Sequence, residues 1–350
     1  MSSDTVLPAG APAPPLGVRA RLTRRLPLLR PLVATLTVSG IGYAVASEWH
    51  GKHGTPGVSD ALRTLAWPSV ALSLLAAFAG TATSLLAWRA LLADEGHRLA
   101  PVAAGRIFLV GQLGKYLPGS IWSVVLQMEL AKREGVPRGR AFTTSLAWVG
   151  LSMTTALTVG LFGLPVLASA HHRELWWLLA ALPVLLVASI PPVLTRLVNL
   201  VLRVFGKGKL RRALSWRGVL SACGWLTATW ICFGLHLWLL ANALGAPGVG
   251  GLVRCIGGFA LAMAAGVLFV IVPSGAGVRE VIIVAALAPV MSRPEALGIA
   301  VVSRVLFIVT DVVAAGAAAL SGIRQVRSVA TGKRVMAPAA ASPSRARTPR

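Results

Sequence analysis

Val272-Pro273-Ser274-Gly275-Ala276-Gly277-Val278-Arg279-Glu280 lies inside one of the most apolar parts of the chain and departs from the pattern of a membrane helix throughout its length. Pro273 lacks a backbone donor, Gly275 and Gly277 admit backbone angles that other residues resist, and Arg279 and Glu280 place two charges where hydrocarbon would surround them. A helix interrupted there leaves peptide groups unpaired, and lipid offers them no partner. Such a break survives at membrane depth only inside protein or beside a wet cavity. The stretch therefore reads as the turn of a discontinuous helix in a transport or recognition site.

The composition around it supports a membrane setting. Of 350 residues 55% are hydrophobic and only 13% charged, which is the profile of a polytopic helical membrane protein and leaves no room for a large soluble domain. The net charge of +23 would suit nucleic acid if it were clustered on one surface. Here the basic residues fall between apolar spans, so positive-inside topology and anionic lipid headgroups account for them, and nucleic acid is not an expected partner. Cys223, Cys232 and Cys255 lie in or beside apolar spans without metal or disulfide spacing and read as core side chains. Residues 1–30, rich in Pro, Ala and Arg, lack the apolar run of a secretory signal and read as a basic disordered tail. Residues 324–350 read the same way. The preference for Arg over Lys, with abundant Ala and Gly, fits a bacterial source.

Between these tails, residues 31–323 form one membrane domain with all-α architecture. Apolar stretches at 32–47, 65–88, 142–170, 175–194, 219–244 and 297–320 approach the ~20 residues a spanning helix requires, giving about six full spans. Two further stretches are interrupted. Residues 107–130 break at Lys115-Tyr116-Leu117-Pro118-Gly119, and residues 256–290 break at the stretch quoted above. Each is expected to form two half-helices that re-enter the membrane from one side. With both re-entrant, the N-tail, the segments 89–106 and 132–140, the basic loop 195–218 and the C-tail all face the cytoplasm. Of 34 basic residues only Lys52, Arg63, Arg173, Arg254 and Arg293 are then outside, with Lys115, Arg279 and Arg304 at membrane depth. A full crossing at 107–130 would instead export the basic loop.

This topology repeats itself upside down. Residues 65–170 and 219–320 each read as span, re-entrant hairpin, span, and the single crossing at 175–194 inverts one unit against the other. Inverted repeats with paired broken helices are a transporter architecture. The first part of the loop 195–218 reads as an amphipathic interfacial helix facing anionic headgroups.

The residues at and beside the two breaks are the candidate binding groups: Lys115, Tyr116, Pro118, Gly119, Ser120, Pro273, Ser274, Gly275, Gly277, Arg279 and Glu280, with Arg304 and Asp311 seven apart on one face of the last span. An intramembrane charge costs ~2.5–3.5 kcal/mol on insertion scales, so several on adjacent segments imply mutual pairing or a wet cavity. Glu280 with Arg304 is the natural structural pair, which leaves Arg279 for a ligand. Lys115 has two readings, a snorkelling side chain or a cation aimed at a phosphate. Arg106 reads as an interfacial anchor, and Glu129 as a partner for Lys132 or Arg133. His171 and His172 lack a third ligand, and no metal or other cofactor is expected. No Gly-x-Ser-x-Gly elbow, P-loop or His-Glu-x-x-His is present, so the chain reads as non-enzymatic.

The two breaks, Lys115-Tyr116-Leu117-Pro118-Gly119-Ser120-Ile121-Trp122 and Pro273-Ser274-Gly275-Ala276-Gly277-Val278-Arg279-Glu280, resemble the two signatures of the lysylphosphatidylglycerol synthase transmembrane-region family, also called flippase-like domain proteins. The second signature usually reads Pro-Gly-Gly-Leu-Gly-Val-Arg-Glu. The resemblance extends over about residues 31–323 and implies an integral membrane bundle that translocates lipid; the plasma membrane is the expected location, and the distribution of basic residues puts both termini in the cytoplasm. An anionic phospholipid or a lipid-linked headgroup is the expected cargo. Full-length synthases continue into a soluble domain that uses aminoacyl-tRNA, whereas this chain continues into a short tail and is not expected to make the modified lipid itself. Many relatives carry a carboxylate early in the span after the first break, where Ser145-Leu146-Ala147-Trp148 stand here. The alternative function is that of a non-transporting membrane partner or scaffold for a lipid-modifying glycosyltransferase or synthase.

Overall fold

The computed structural model describes residues 63, 65–116, 122–163, 180–204, 213–245, 248–268, 275 and 277–335, with side chains to 321. The expected first span at 32–47, the N-terminal tail, residues 336–350 of the C-terminal tail, and the site residues Pro118, Gly119, Ser120, Pro273 and Ser274 lie outside the described residues, while residues 324–335, expected in the disordered tail, continue the last helix. All regular structure among the described residues is helical. In chain order the helices are α1 (Trp67–Asp94), α2 (Pro101–Gly105), α3 (Trp122–Arg133), α4 (Arg138–Phe162), α5 (Leu182–Ala188), α6 (Pro191–Val204), α7 (Trp216–Asn242), α8 (Gly248–Leu268), α9 (Val278–Leu287) and α10 (Arg293–Val335). A π-turn over Arg106–Val110 and a 3-10 turn over Leu113–Tyr116 extend α2 up to the first break.

Among the described residues five helices are long and apolar enough to cross a membrane: α1, α4, α7, α8 and the Arg293–Ser321 part of α10; counting α5 with α6 as one bent span makes six. They are packed through small residues, because lipid provides no hydrophobic drive for helices to associate. Along α1 the buried face runs Ser73, Ala76, Ala77, Gly80, Ser84, Ala87, and it lies against α7. At Gly80 an added Cβ would sit 2.4 Å from the Phe233 ring, so that crossing depends on the missing side chain.

Both interrupted stretches fold back as antiparallel helical hairpins. In the first, Gly111 lies against Gln127 and Gly114 against the backbone of Trp122 and Ser123. A Cβ on Gly114 would approach Ser123 N to 2.5 Å, so glycine lets the two limbs touch. Neither limb is long enough to cross: α3 has 12 residues, about 18 Å at 1.5 Å per residue. In the second hairpin Gly275 lies against Gly266 near the break, and Arg254 donates to the Ala286 carbonyl at 3.4 Å at the far end.

Two expectations are corrected here. The second hairpin was expected to consist of two half-helices beginning at Ile256, but α8 starts at Gly248 and its 21 residues are enough to cross alone, while α9 has ten. The glycines and Arg254 of Gly248–Cys255 depress local hydropathy and conceal the helix. The crossing expected at 175–194 is described only from residue 180, and it bends by 78° between α5 and α6. The amphipathic helix consequently begins at Pro191. It buries Leu194, Val198 and Leu202 at helical spacing and exposes Leu197, Leu200 and Val204 beside Arg196 and Arg203. That mixed outer face matches an interfacial position.

Candidate functional site

Charge at membrane depth collects on one face of α10. Arg304 and Asp311 are separated by two turns, and each holds one of the hairpins. Lys115 Nζ pairs with Asp311 Oδ2 at 2.7 Å, and the Tyr116 hydroxyl donates to the same oxygen at 2.5 Å. Arg304 Nη1 pairs with Glu280 Oε1 at 2.7 Å. The other Glu280 oxygen accepts the Gly277 backbone N–H at 2.6 Å, so this carboxylate also caps α9. Gly277 has φ +86°, a left-handed value that glycine takes without strain. The 3-10 turn that carries Lys115 and Tyr116 packs on α10, as does α9. The two breaks are therefore joined through α10.

Arg279 points elsewhere. It is only 5% exposed, and its guanidinium lies over the rings of Phe259 (4.7 Å) and Phe307 (4.5 Å). One Nη donates to Ser303 Oγ at 3.1 Å, while Nε has no hydrogen-bond partner among the described residues. No ion pair to a carboxylate forms within 4 Å of Arg279 among the described residues; its neighbour Glu280 is turned to Arg304. The polar chain continues inward. Ser303 Oγ contacts His236 Nε2 at 2.9 Å, and His236 Nδ1 meets Ser73 at 3.0 Å to its carbonyl and 2.8 Å to its hydroxyl. Arg279 donates to Ser303, so the Ser303 hydroxyl hydrogen is free for Nε2. The chain ties α9 through α10 and α7 to α1.

A second polar centre lies where α1 and α4 meet. Ser145 Oγ donates to Gln127 Oε1 at 2.5 Å and accepts Trp88 Nε1 at 3.3 Å. Glu95, just past the end of α1, accepts from the Thr143 hydroxyl at 2.8–2.9 Å and from Thr144 at 3.1 Å, and its backbone carbonyl accepts from Arg140. Burial pushes the Glu95 carboxyl above the usual carboxylate range, against the pull of these hydroxyls and Arg140. Neither Glu95 nor His236 was singled out from sequence: Glu95 falls in the polar turn Asp94-Glu95-Gly96-His97, and His236 is a lone histidine inside an apolar span. Glu129 takes Arg138 at 2.6 Å rather than Lys132 or Arg133, because the turn at Gly135 returns the start of α4 toward it. Arg106 is held by Glu134 at 3.1 Å. Among the described residues no three His, Cys, Asp or Glu side chains converge as metal ligands.

Five of the thirteen sequence-derived site residues thus form two linked ion-pair clusters: Lys115, Tyr116 and Asp311, and Glu280 with Arg304. Arg279 is adjacent but buried, and Gly275 and Gly277 shape the backbone around the second break. The comparison with curated proteins found no match. The family model described as "Lysylphosphatidylglycerol synthase TM region" matches residues 33–315, and that span includes α1 to α9, most of α10 and every charge just described. The chain belongs to the lysylphosphatidylglycerol synthase TM region family.

Proposed function

We propose that this multi-pass membrane protein moves an anionic phospholipid or lipid-linked headgroup between leaflets, without chemical conversion, and that the headgroup visits the α10 cluster. The observation that carries this reading is the docking of two broken segments on one face of one span through Lys115–Asp311 and Glu280–Arg304. Structural clamping alone requires no exposure to water, yet the Lys115 and Arg304 side chains are 30% and 24% exposed while their carboxylate partners are nearly buried. Cations on the open side are suited to a phosphate.

The packing pattern supports an inverted repeat. Exchange α1 with α7, the α2 limb with α8, α3 with α9 and α4 with α10, and each principal contact has a counterpart. The first spans α1 and α7 pack on each other. The last span of each unit packs on the first limb of the other unit's hairpin, α4 on α8 and α10 on the α2 limb. Units that interlock in this way can rock about a shared site. A bacterial plasma membrane with both termini cytoplasmic fits the charge distribution.

The direct test is reconstitution into liposomes with fluorescent lipid and dithionite quenching, comparing wild type with Lys115→Ala and Arg279→Ala. Protein-dependent exchange that falls in both variants is expected. Exchange equal with and without protein would sink the proposal. Co-purification of a stoichiometric lipid-modifying enzyme, with both variants harmless to its activity, would support the scaffold alternative.

A further inference from the structure

The geometry points to Asp311 as a built-in counter-ion: its carboxylate occupies the anion subsite formed by Lys115 and Tyr116, and a phosphodiester monoanion enters by displacing it. This deepens the reading of the α10 cluster as a headgroup site and rests on it.

The two carboxylates of the cluster are held differently. Glu280 divides its oxygens between the Arg304 guanidinium and the Gly277 N–H, so it cannot leave without uncapping α9. Asp311 offers a single oxygen, Oδ2, to both the Lys115 ammonium and the Tyr116 hydroxyl. One anionic oxygen meeting an ammonium and a phenol is also what a non-bridging phosphodiester oxygen would meet there. The mobile partner is the lysine. It sits on a four-residue 3-10 turn with its side chain 30% exposed, whereas Asp311 is fixed in the middle of a span.

Charge selects the class of ligand. Among the described residues the cations Lys115, Arg279 and Arg304 are accompanied by two carboxylates, Glu280 and Asp311, which leaves one positive charge in excess in the cluster. A monoanionic headgroup cancels it. A zwitterionic headgroup leaves it standing, and a dianion overshoots. The headgroup phosphate does not have to outbid bulk water for Lys115; it exchanges one carboxylate contact for one phosphate contact.

The test uses the full chain purified in detergent and native mass spectrometry with phosphatidylglycerol, phosphatidylcholine or inorganic phosphate added. Wild type is expected to retain phosphatidylglycerol over phosphatidylcholine. Asp311→Asn removes the competitor and should tighten phosphatidylglycerol retention roughly tenfold, about 1.4 kcal/mol. Lys115→Met combined with Asp311→Asn removes the whole subsite without stranding either charge, and should fall below wild type. Inorganic phosphate that displaces the lipid at equal concentration identifies a free anion as the occupant; lipid that stays bound identifies the headgroup. A second readout needs no variant: carbodiimide labelling of Asp311 in the wild-type protein should rise as phosphatidylglycerol, but not phosphatidylcholine, is added. Unchanged or weaker retention in folded Asp311→Asn, or labelling that stays flat or falls, overturns the proposal. Absent leaflet exchange with these binding results intact would sink the transport reading and leave this one standing.

Discussion

Removing Arg304 and Glu280 singly and together separates a clamp from an incidental contact. Arg304→Met leaves Glu280, 7% exposed on its side chain, with only the Gly277 N–H as a direct partner. Stranding one member of a buried pair costs ~3–5 kcal/mol, and the surviving amide contact places this variant near ~3 kcal/mol. Glu280→Met is expected to cost less. Arg304 is 24% exposed and its long stem can carry the charge to water, so its isolation costs about 1 kcal/mol, and loss of the α9 cap about 1 kcal/mol more. The double variant strands no charge and keeps only the cap and packing losses, about 2 kcal/mol in all. The singles then exceed the double by about 3 kcal/mol of coupling, at the upper end of what direct contacts give. Unfolding in mixed micelles titrated with sodium dodecyl sulfate, followed by helical circular dichroism, measures all four proteins. Additivity within about 0.5 kcal/mol would show that the pair behaves like an exposed one, and would refute the clamp.

Glu95→Gln tests the buried carboxyl at the α1–α4 junction. Its raised folded-state value makes the protonated form the favourable one, so the wild-type contribution is full below the unfolded value and lost as pH rises through the folded one. The stability advantage of Glu95→Gln should therefore widen as pH rises above the ordinary carboxylate range, and a gap that stays constant contradicts this. Gly275→Ala should cost at least ~2 kcal/mol, since alanine would take a left-handed φ of +62° with its Cβ 2.5 Å from Gly266 Cα. Gly266→Ala, whose Cβ would stand 3.4 Å from Gly275 Cα, should cost well under that, and equal losses in the same micelle titration would refute the close-approach account. Arg279→Lys keeps the charge but loses the flat stack on Phe259 and Phe307, so a loss of ~1–3 kcal/mol is expected, and unchanged thermal stability would show the stack to be idle.

The breaks were legible because proline, paired glycines and charge inside apolar runs are rare and local. The pairing of Glu280 with Arg304 was legible as well: a carboxylate at one break and a cation on the next span leave few alternatives. The partner of Lys115 was not. Asp311 lies 196 residues along the chain, on the other side of both hairpins, and nothing in the spacing selects it over Glu280. Arg279 was read as the ligand cation because Glu280 was given to Arg304 as the structural pair. Two aromatic faces and a serine hydroxyl hold it instead, and phenylalanines on separate helices give no sequence signal of stacking on a distant arginine. The extent of α8 was hidden for a simpler reason, since Gly248–Cys255 is glycine-rich and carries Arg254.

The position of Arg279 changes how the positive charge in the cluster is to be understood. A guanidinium buried to 5% exposure without an ion-pair partner is costly, and an electrically neutral side chain could fill the space between Phe259 and Phe307 at lower cost. Two ring faces and Ser303 return part of that cost, yet they leave the charge itself uncancelled. Its field extends to Tyr116 and Asp311, through low-dielectric protein that screens it weakly. Direct contact with a headgroup is blocked by the rings and by burial. On the proposed reading Arg279 would therefore act on a headgroup at a distance, raising the local potential while Lys115 and Tyr116 made the contacts. The hydrogen-bond chain through Ser303, His236 and Ser73 fixes it there, and each link comes from a different span. Rocking of one unit against the other would strain that chain at His236 and Ser73, where α7 meets α1, and would strain the Lys115–Asp311 pair, before it disturbed the Glu280–Arg304 pair, which lies within a single unit. The buried arginine, with Phe259, Phe307 and Ser303 all in its own unit, would thus keep its surroundings in such a motion, whereas Lys115 and Asp311, which belong to different units, would not.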